Sequence, residues 1–228
     1  MAYLTPILKL HPFFKTLNIP DLNTRNLKNL LLIFARNPVL GKTKTRLAKT
    51  IGDENALAVY KILLNHTVSE TIAIRADKRV CYADFIDSQD VWSHDVFQKQ
   101  KQYGSDLGER MRRAFEDAFE EGYQKVIVIG TDLLDLKTEL LENAFASLDD
   151  FDVVIGPAAD GGYYLLGLKE PIVHIFENKA WGTDTVLRDT LSDLETKSVC
   201  LLETLNDIDT EKDLLPYDAL LKFTNKKN

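Results

Sequence analysis

The feature that most constrains this chain is a repeated exchange between charge-free apolar runs and longer amphipathic stretches. "NLLLIFA" (29–35) and "KVIVIGTD" (125–132) read as strands buried on both faces. "RVCYAD" (79–84), "DVVIGPA" (152–158) and "KSVCLLE" (197–203) add further strands. Between them, "DENALAVYKILLNHTVSETIAI" (53–74) repeats apolar residues at three and four, with Asp53 as candidate cap. "SDLGERMRRAFEDAFEEGY" (105–123) is a helix with Asp106 and Glu109 at capping-box spacing and Gly122 as its stop. "TELLENAFASL" and "TDTVLRDTLSDL" predict two more helices, and "TEKDLLPYDALLKF" a closing one broken near Pro216. Strands alternating with helices predict an α/β three-layer sandwich with a mostly parallel central sheet. "GYYLLGL" (162–168), entered through two glycines, adds an antiparallel piece. Without a repeat or linker, the pattern is one domain over 28–228, preceded by an N-terminal extension, 1–27.

Charge narrows the partners. The formal net charge is -7, which argues against broad nucleic-acid or membrane-surface binding. A local basic loop in an acidic chain suits a small anionic ligand. No apolar run approaches the roughly 18 residues of a membrane helix. The first segment is broken by Pro6, Pro12 and Pro20 and has no basic start before an apolar stretch, so it does not read as a signal peptide. Cys81 and Cys200 sit in separate strand patterns and read as buried thiols, so a reducing, cytoplasmic location is expected.

The basic loop follows the first strand: "ARNPVLGKTKTRL" (35–47). Strand, basic loop, helix is an arrangement that holds phosphate. A P-loop needs G-x-x-x-x-G-K-[ST]. Gly41, Lys42 and Thr43 fit that pattern, but Arg36 stands at the first glycine, where the backbone must curl around the phosphates. A second reading explains more of the chain. "ARNPVLGKTKTRL", "GTDLLDL", "GPAADGGYYLLGL" and "NDIDT" all fall at predicted strand ends, and open α/β sheets bind ligands at the carboxyl ends of their strands.

Taken together, "AR-x-P-x-x-G-x-x-KTRL", "LGERM", "GPA-x-DGGYYL-x-G", "W-x-T" and "D-x-DT-x-x-D" resemble a known bacterial family. These are the nucleotide-diphospho-sugar transferases of glycosyltransferase-A fold, often labelled radical-SAM/selenodomain-associated or arsenosugar-biosynthesis glycosyltransferases. The chain is more distantly similar to phospholactate guanylyltransferase and molybdenum-cofactor guanylyltransferase. The resemblance runs from about Leu31 to Leu214. It departs at Asp132-Leu133-Leu134, where the family commonly has a small residue and proline after the acid.

The resemblance implies roles that the residue chemistry supports. Arg36, Lys42 and Arg46 would surround a nucleotide's diphosphate, with Gly41 admitting backbone N–H groups; the other reading is a solvated basic turn. Lys44 and Lys49 are expected to be solvated. Asp132 would be the metal-binding acid for Mg²⁺ or Mn²⁺, and Lys42 and Asp132 the catalytic pair; Asp132 could instead cap the next turn. Asp209, or Asp207, would be the second metal ligand, or else a helix cap. Asp135 is expected to be a turn residue. Asp160, Gly161, Gly162, Tyr163 and Thr183 would bind the substrate, although "DGGY" also suits a tight hairpin entry. Trp181 is either an acceptor-side contact or core, and Gly108 and Arg110 either bind ligand or open a helix. The function implied is a metal-dependent glycosyltransferase using a nucleotide-sugar donor and a small-molecule acceptor. The alternatives are a nucleotidyltransferase passing NMP from an NTP to a small phosphorylated acceptor, a non-catalytic nucleotide binder, or a P-loop enzyme.

Overall fold

The computed structural model describes residues 29–224. The expected N-terminal extension and the last four residues lie outside them. Seven strands form one mixed sheet: β1 (Asn29–Ala35), β2 (Asp77–Tyr82), β3 (Phe97–Lys101), β4 (Lys125–Ile129), β5 (Val153–Pro157), β6 (Tyr163–Leu168) and β7 (Val199–Leu201). Their order is β3-β2-β1-β4-β6-β5-β7. β6 alone runs against its neighbours; the other pairings are parallel. Five helices accompany the sheet: α1 (Thr45–Ile51), α2 (Asp53–Thr71), α3 (Leu107–Glu120), α4 (Thr138–Asp150) and α5 (Val186–Asp193).

Period-two alternation builds the layers. Leu31, Ile33 and Ala35 of β1 pack on one side with Tyr60 and Leu64 of α2 and Leu141 of α4. Leu30 and Leu32 pack on the other with Met111 and Phe115 of α3. β4 divides its side chains in the same way, Ile127 and Ile129 to one layer and Val126 and Val128 to the other. The departure at Asp132 is absorbed by this core. Leu133 is buried in the first cluster, and Leu134 packs on a third, formed by α1, α2 and the C-terminal turns.

Several sequence expectations change in detail. Asp53 is the first residue inside α2 rather than its cap, which is Gly52 at φ 83. The closing segment holds two short 3-10 turns, Glu211–Leu214 and Leu221–Phe223, instead of a helix. β3 was not foreseen, because "FQKQK" is an edge strand with little apolar pattern. Cys81 is buried, with its thiol pushed up to about 12 by desolvation, whereas Cys200 is only partly buried; neither forms a disulfide. Among the described residues, no helix is long and apolar enough to cross a membrane.

The start of α3 matters because it borders the cleft described next. Asp106 accepts from the Glu109 backbone N–H at 2.9 Å, which is one half of the capping box. The Glu109 carboxylate reaches past the cap to Ser105, accepting from its N–H at 2.7 Å and its hydroxyl at 2.9 Å. Those bonds, followed by Arg113, hold the Glu109 carboxyl down to about 2. A depressed carboxyl contributes stability above its unfolded value and loses it as pH falls through the folded one. Glu109→Gln should therefore be less stable than wild type at neutral pH, with the gap closing between about pH 4.5 and 2; urea melts across that range measure it.

Candidate active site

One cleft, with a volume of about 650 Å³, lies at the carboxyl ends of the parallel strands. The reversal of β6 brings its first residues to the same edge, so Gly162 and Tyr163 face the loops that leave β1 and β4. The cleft lining brings together the bases Arg36, Lys42, Lys44 and Arg46, the acids Asp132, Asp160, Asp207 and Asp209, and Trp181 and Thr183. The four segments picked out at predicted strand ends thus meet in one place.

The basic loop is fastened from beneath. The Tyr60 hydroxyl of α2 accepts from the Arg36 N–H at 2.9 Å, lies 3.1 Å from the Arg36 carbonyl, and also contacts the Thr131 hydroxyl at 3.1 Å. Burial raises the Tyr60 pKa first of all, so it stays a neutral phenol able to serve both loops. Asn37, fully buried, exchanges two hydrogen bonds with the backbone of Phe85. Periodicity shows Tyr60 only as a core position; nothing in its helix announces the clamp.

Lys44 overturns its expected place in solvent. Its side chain is 5% exposed, and its ammonium donates to Asp132 Oδ1 at 2.6 Å and Asp209 Oδ1 at 3.0 Å. Burial pulls the Lys44 pKa down, but the two carboxylates outweigh it and the net shift is upward, so the ammonium stays charged. Its backbone is left-handed, φ 50 and ψ 45, at the N-cap of α1, a conformation rare for a residue with a β-carbon. Lys42 and Arg46, the expected phosphate ligands, are exposed on the wall, and Arg46 lies 3.7 Å from Asp209 Oδ2. Lys49 is exposed in α1, as expected.

The acids are joined through backbone. The Ile208 N–H donates to the Asp132 carbonyl at 2.9 Å, and Leu205, just before it, pairs with the residues at the end of β5. Ile208 is buried while Asp207 and Asp209 both face the cleft, the alternation of an extended segment. Capping falls to other residues. Thr210 and Asp213 form a capping box for the 3-10 turn at 211–214, and the N-cap of α4 is Lys137, so neither Asp209 nor Asp132 is spent on a cap. Asp135 accepts from the Tyr217 hydroxyl, a structural contact outside the cleft. Burial, and then the charges of Asp132 and Asp160, push the Asp207 carboxyl up to about 7.

Two glycines separate from the rest of the expected site. Gly41 sits in a turn at φ 73 and does not line the cleft. Gly161, at φ 90, is not among the lining residues either. A β-carbon there would overlap the Asp184 backbone, and the Gly161 carbonyl accepts from the Leu187 N–H. It is a packing glycine that ties the β5–β6 turn to the start of α5. Gly162 does line the cleft, and its N–H donates to Asp160 Oδ1 at 2.9 Å, closing the hairpin entry.

Two motifs that looked separate are halves of one contact. The Trp181 indole lies on Gly108 at the start of α3, where any β-carbon would overlap the ring. Trp181 also meets Tyr163 edge to face at 6.5 Å and packs on the second core cluster, so it is both core and cleft wall. Arg110 lines the cleft and donates to the Gly104 carbonyl at 3.1 Å.

Mg²⁺ or Mn²⁺ takes hard oxygen ligands and keeps several waters, so one or two carboxylates plus phosphate oxygens suffice. Among the described residues, no group of three His, Cys, Asp or Glu side chains is placed to hold a metal alone. Asp132 and Asp209, 46% and 40% exposed toward the cleft, fit the two-carboxylate arrangement, with one oxygen of each shared with Lys44.

Gly108→Ala gives a signed test of the Trp181 seat. Alanine favours a helix interior, yet here overlap with the indole should cost about 1–3 kcal/mol. Urea melts should show the loss, and tryptophan fluorescence should change, because Trp181 moves while Trp92, the other tryptophan, stays buried.

With this geometry in view, the comparisons are specific. A family model described as "Uncharacterized protein conserved in bacteria (DUF2064)" matches residues 63–183. A crystal structure of a "putative nucleotide-diphospho-sugar transferase" from Desulfovibrio desulfuricans G20 is 32% identical, with 85% of this chain and 87% of that chain covered and a TM-score of 0.79. The 4-diphosphocytidyl-2C-methyl-D-erythritol synthase from Anaerococcus prevotii DSM 20548 has 10% identity, 85% and 96% coverage and a TM-score of 0.53. CMP:2-keto-3-deoxy-manno-octonic acid synthetase, complexed with CTP, has 11% identity, 85% and 98% coverage and a TM-score of 0.51. At such identities these two show a shared fold alone. Among curated proteins nothing matches. The family match over more than half the chain and the relative at 32% identity agree: this protein belongs to the DUF2064 family and has the fold of the nucleotide-diphospho-sugar transferases.

Proposed function

We propose that the protein is a transferase that moves a sugar from a nucleotide-sugar donor to a small acceptor, with Mg²⁺ or Mn²⁺ at Asp132 and Asp209. The observation that carries this reading is the convergence of a basic loop and three aspartates on one cleft at the carboxyl edge of the sheet. The Desulfovibrio relative's name supports the nucleotide-sugar choice.

Arg36, Lys42 and Arg46 grip the diphosphate, Arg by paired charge-assisted hydrogen bonds and Lys as a point charge. Their charge stabilises the leaving nucleoside diphosphate as the bond from the anomeric carbon to phosphate oxygen breaks and that oxygen keeps the electron pair. The metal, when bound, supplies further charge neutralisation at the diphosphate. Asp160 and Thr183 also line the cleft and would meet the acceptor hydroxyl. The hydroxyl oxygen bonds to the anomeric carbon, and Asp160 would orient that hydroxyl and take its proton.

Nucleotidyl transfer is the second reading, and the basic loop favours it. Even without Lys44, which is held between two acids, Arg36, Lys42 and Arg46 give three positive charges against the two of a nucleotide sugar's diphosphate, which suits a triphosphate. The same cations would then stabilise departing pyrophosphate. The two readings release different products. Incubation with panels of nucleotide sugars and nucleoside triphosphates, with Mn²⁺ and candidate acceptors, should release nucleoside diphosphate. Release of pyrophosphate would select the second reading.

Two substitutions test the residue roles. Lys42→Ala and Arg46→Ala should each weaken a nucleoside diphosphate by about 1.5–3 kcal/mol and leave the bare nucleoside nearly unchanged. Equal losses in calorimetry would refute the phosphate role. Asp132→Asn should remove the Mn²⁺-dependent part of nucleotide binding in a folded protein, because asparagine keeps the shape but not the charge. Titration with Mn²⁺ and with chelator reads that difference.

A further inference from the structure

Lys44 stands where three constraints meet. Its backbone holds the left-handed conformation at φ 50, which non-glycine residues adopt when their surroundings force it. The neighbouring Thr43 and Leu47 are buried, so the turn is anchored on both sides. Its ammonium is enclosed and shared between Oδ1 of Asp132 and Oδ1 of Asp209. The Ile208–Asp132 backbone bond fixes the two acid-bearing segments against each other, so the carboxylates converge on this one cation.

We propose that Lys44 is a resident cation that keeps the Asp132–Asp209 pair closed to a free divalent ion and opens it only when a phosphate-bearing ligand arrives with the ion. The inference rests on the reading of Asp132 and Asp209 as the metal acids, and it adds an order of binding to that reading. In the free protein, Lys44 and, at 3.7 Å from Asp209, Arg46 offset the charge of these two carboxylates, with Asp207 and Asp160 as further acids nearby. That offset weakens the pull of the pair on a dication. A dication held by the same two carboxylates would lie beside the enclosed ammonium, and the two like charges would repel.

A diphosphate changes the balance. It brings new negative charge and oxygen ligands that the ion needs to complete its coordination. It also gives Lys44 another partner: the four-carbon stem is flexible and its three donors can turn from the carboxylates to phosphate oxygens. Arg36 and Lys42, which make no ion pair with these acids among the described contacts, line the cleft to receive the same ligand. Lys44 thus positions the acids before binding and is released to the phosphate on binding.

The test is direct Mn²⁺ binding, read by electron paramagnetic resonance near neutral pH, without any turnover. Wild type should bind Mn²⁺ alone weakly. Lys44→Met should bind it tighter by roughly tenfold or more, because one positive charge beside the acids is gone. Adding Asp132→Asn to Lys44→Met should abolish the gain. Inorganic pyrophosphate should raise the amount of Mn²⁺ retained by wild type, read by water-proton relaxation. Wild type binding free Mn²⁺ as tightly as Lys44→Met, or Lys44→Met showing no gain, would overturn the proposal. If Lys44→Met does not fold, Lys44→Gln carries the same comparison, and micromolar binding of free Mn²⁺ by wild type would by itself defeat it. Failure of the transferase reading looks different: neither nucleotides nor pyrophosphate bind, while the Mn²⁺ difference between wild type and Lys44→Met persists.

Discussion

β1 is hydrogen-bonded along both edges and packed on both faces, and the cleft is built outward from its carboxyl end. Its register cannot slip by one residue without moving Leu31 and Ile33 into the layer that holds Leu30 and Leu32. That rigidity passes to the loop. Ala35 ends the strand, Arg36 is clamped by Tyr60, and Asn37 is bonded to the loop after β2. The same Tyr60 hydroxyl touches Thr131 at the end of β4, so the base-bearing and acid-bearing loops share one anchor.

On this frame the cleft carries opposite charges at close range. Five cationic residues and five aspartates line it, with Lys44 placed between two of the acids. The arrangement leaves Arg36, Lys42 and Arg46 presented to an anion. The raised Asp207 carboxyl belongs to the same picture: burial, and then the charges of Asp132 and Asp160, work against its ionisation.

Much of the fold was legible because burial leaves a periodic trace. The doubly buried β1 and β4, the amphipathic α2, α3 and α4, and the reversed β6 were all readable from their apolar spacing. β3 was not, since an edge strand of alternating glutamine and lysine has no apolar signature. The closing turns were read as a helix because local spacing resembles one, while packing on α1 and α2 selects two short 3-10 segments. The grouping of Arg36, Lys42, Arg46, Asp132, Asp160 and Asp209 in one cleft was legible from strand ends. The roles of Gly161 and Lys44 were not, because each depends on a partner far along the chain: the Asp184 backbone for one, two aspartates for the other.

The sequence by itself determined the alternation of strands and helices, the sidedness of each strand, and the chemical character of the loops at the sheet edge. These follow from local patterns of apolar, charged and turn-forming residues. Only the tertiary structure decided which loop residues face one another. It made Trp181 and Gly108 a single contact, dropped Gly41 from the cleft wall, and turned Lys44 from a surface charge into the ammonium between Asp132 and Asp209. The physical reason is that a buried charge is stable only beside its counter-charge, and that partner, 165 residues away for Asp209, is set by how the chain returns to the sheet and not by any spacing within a loop.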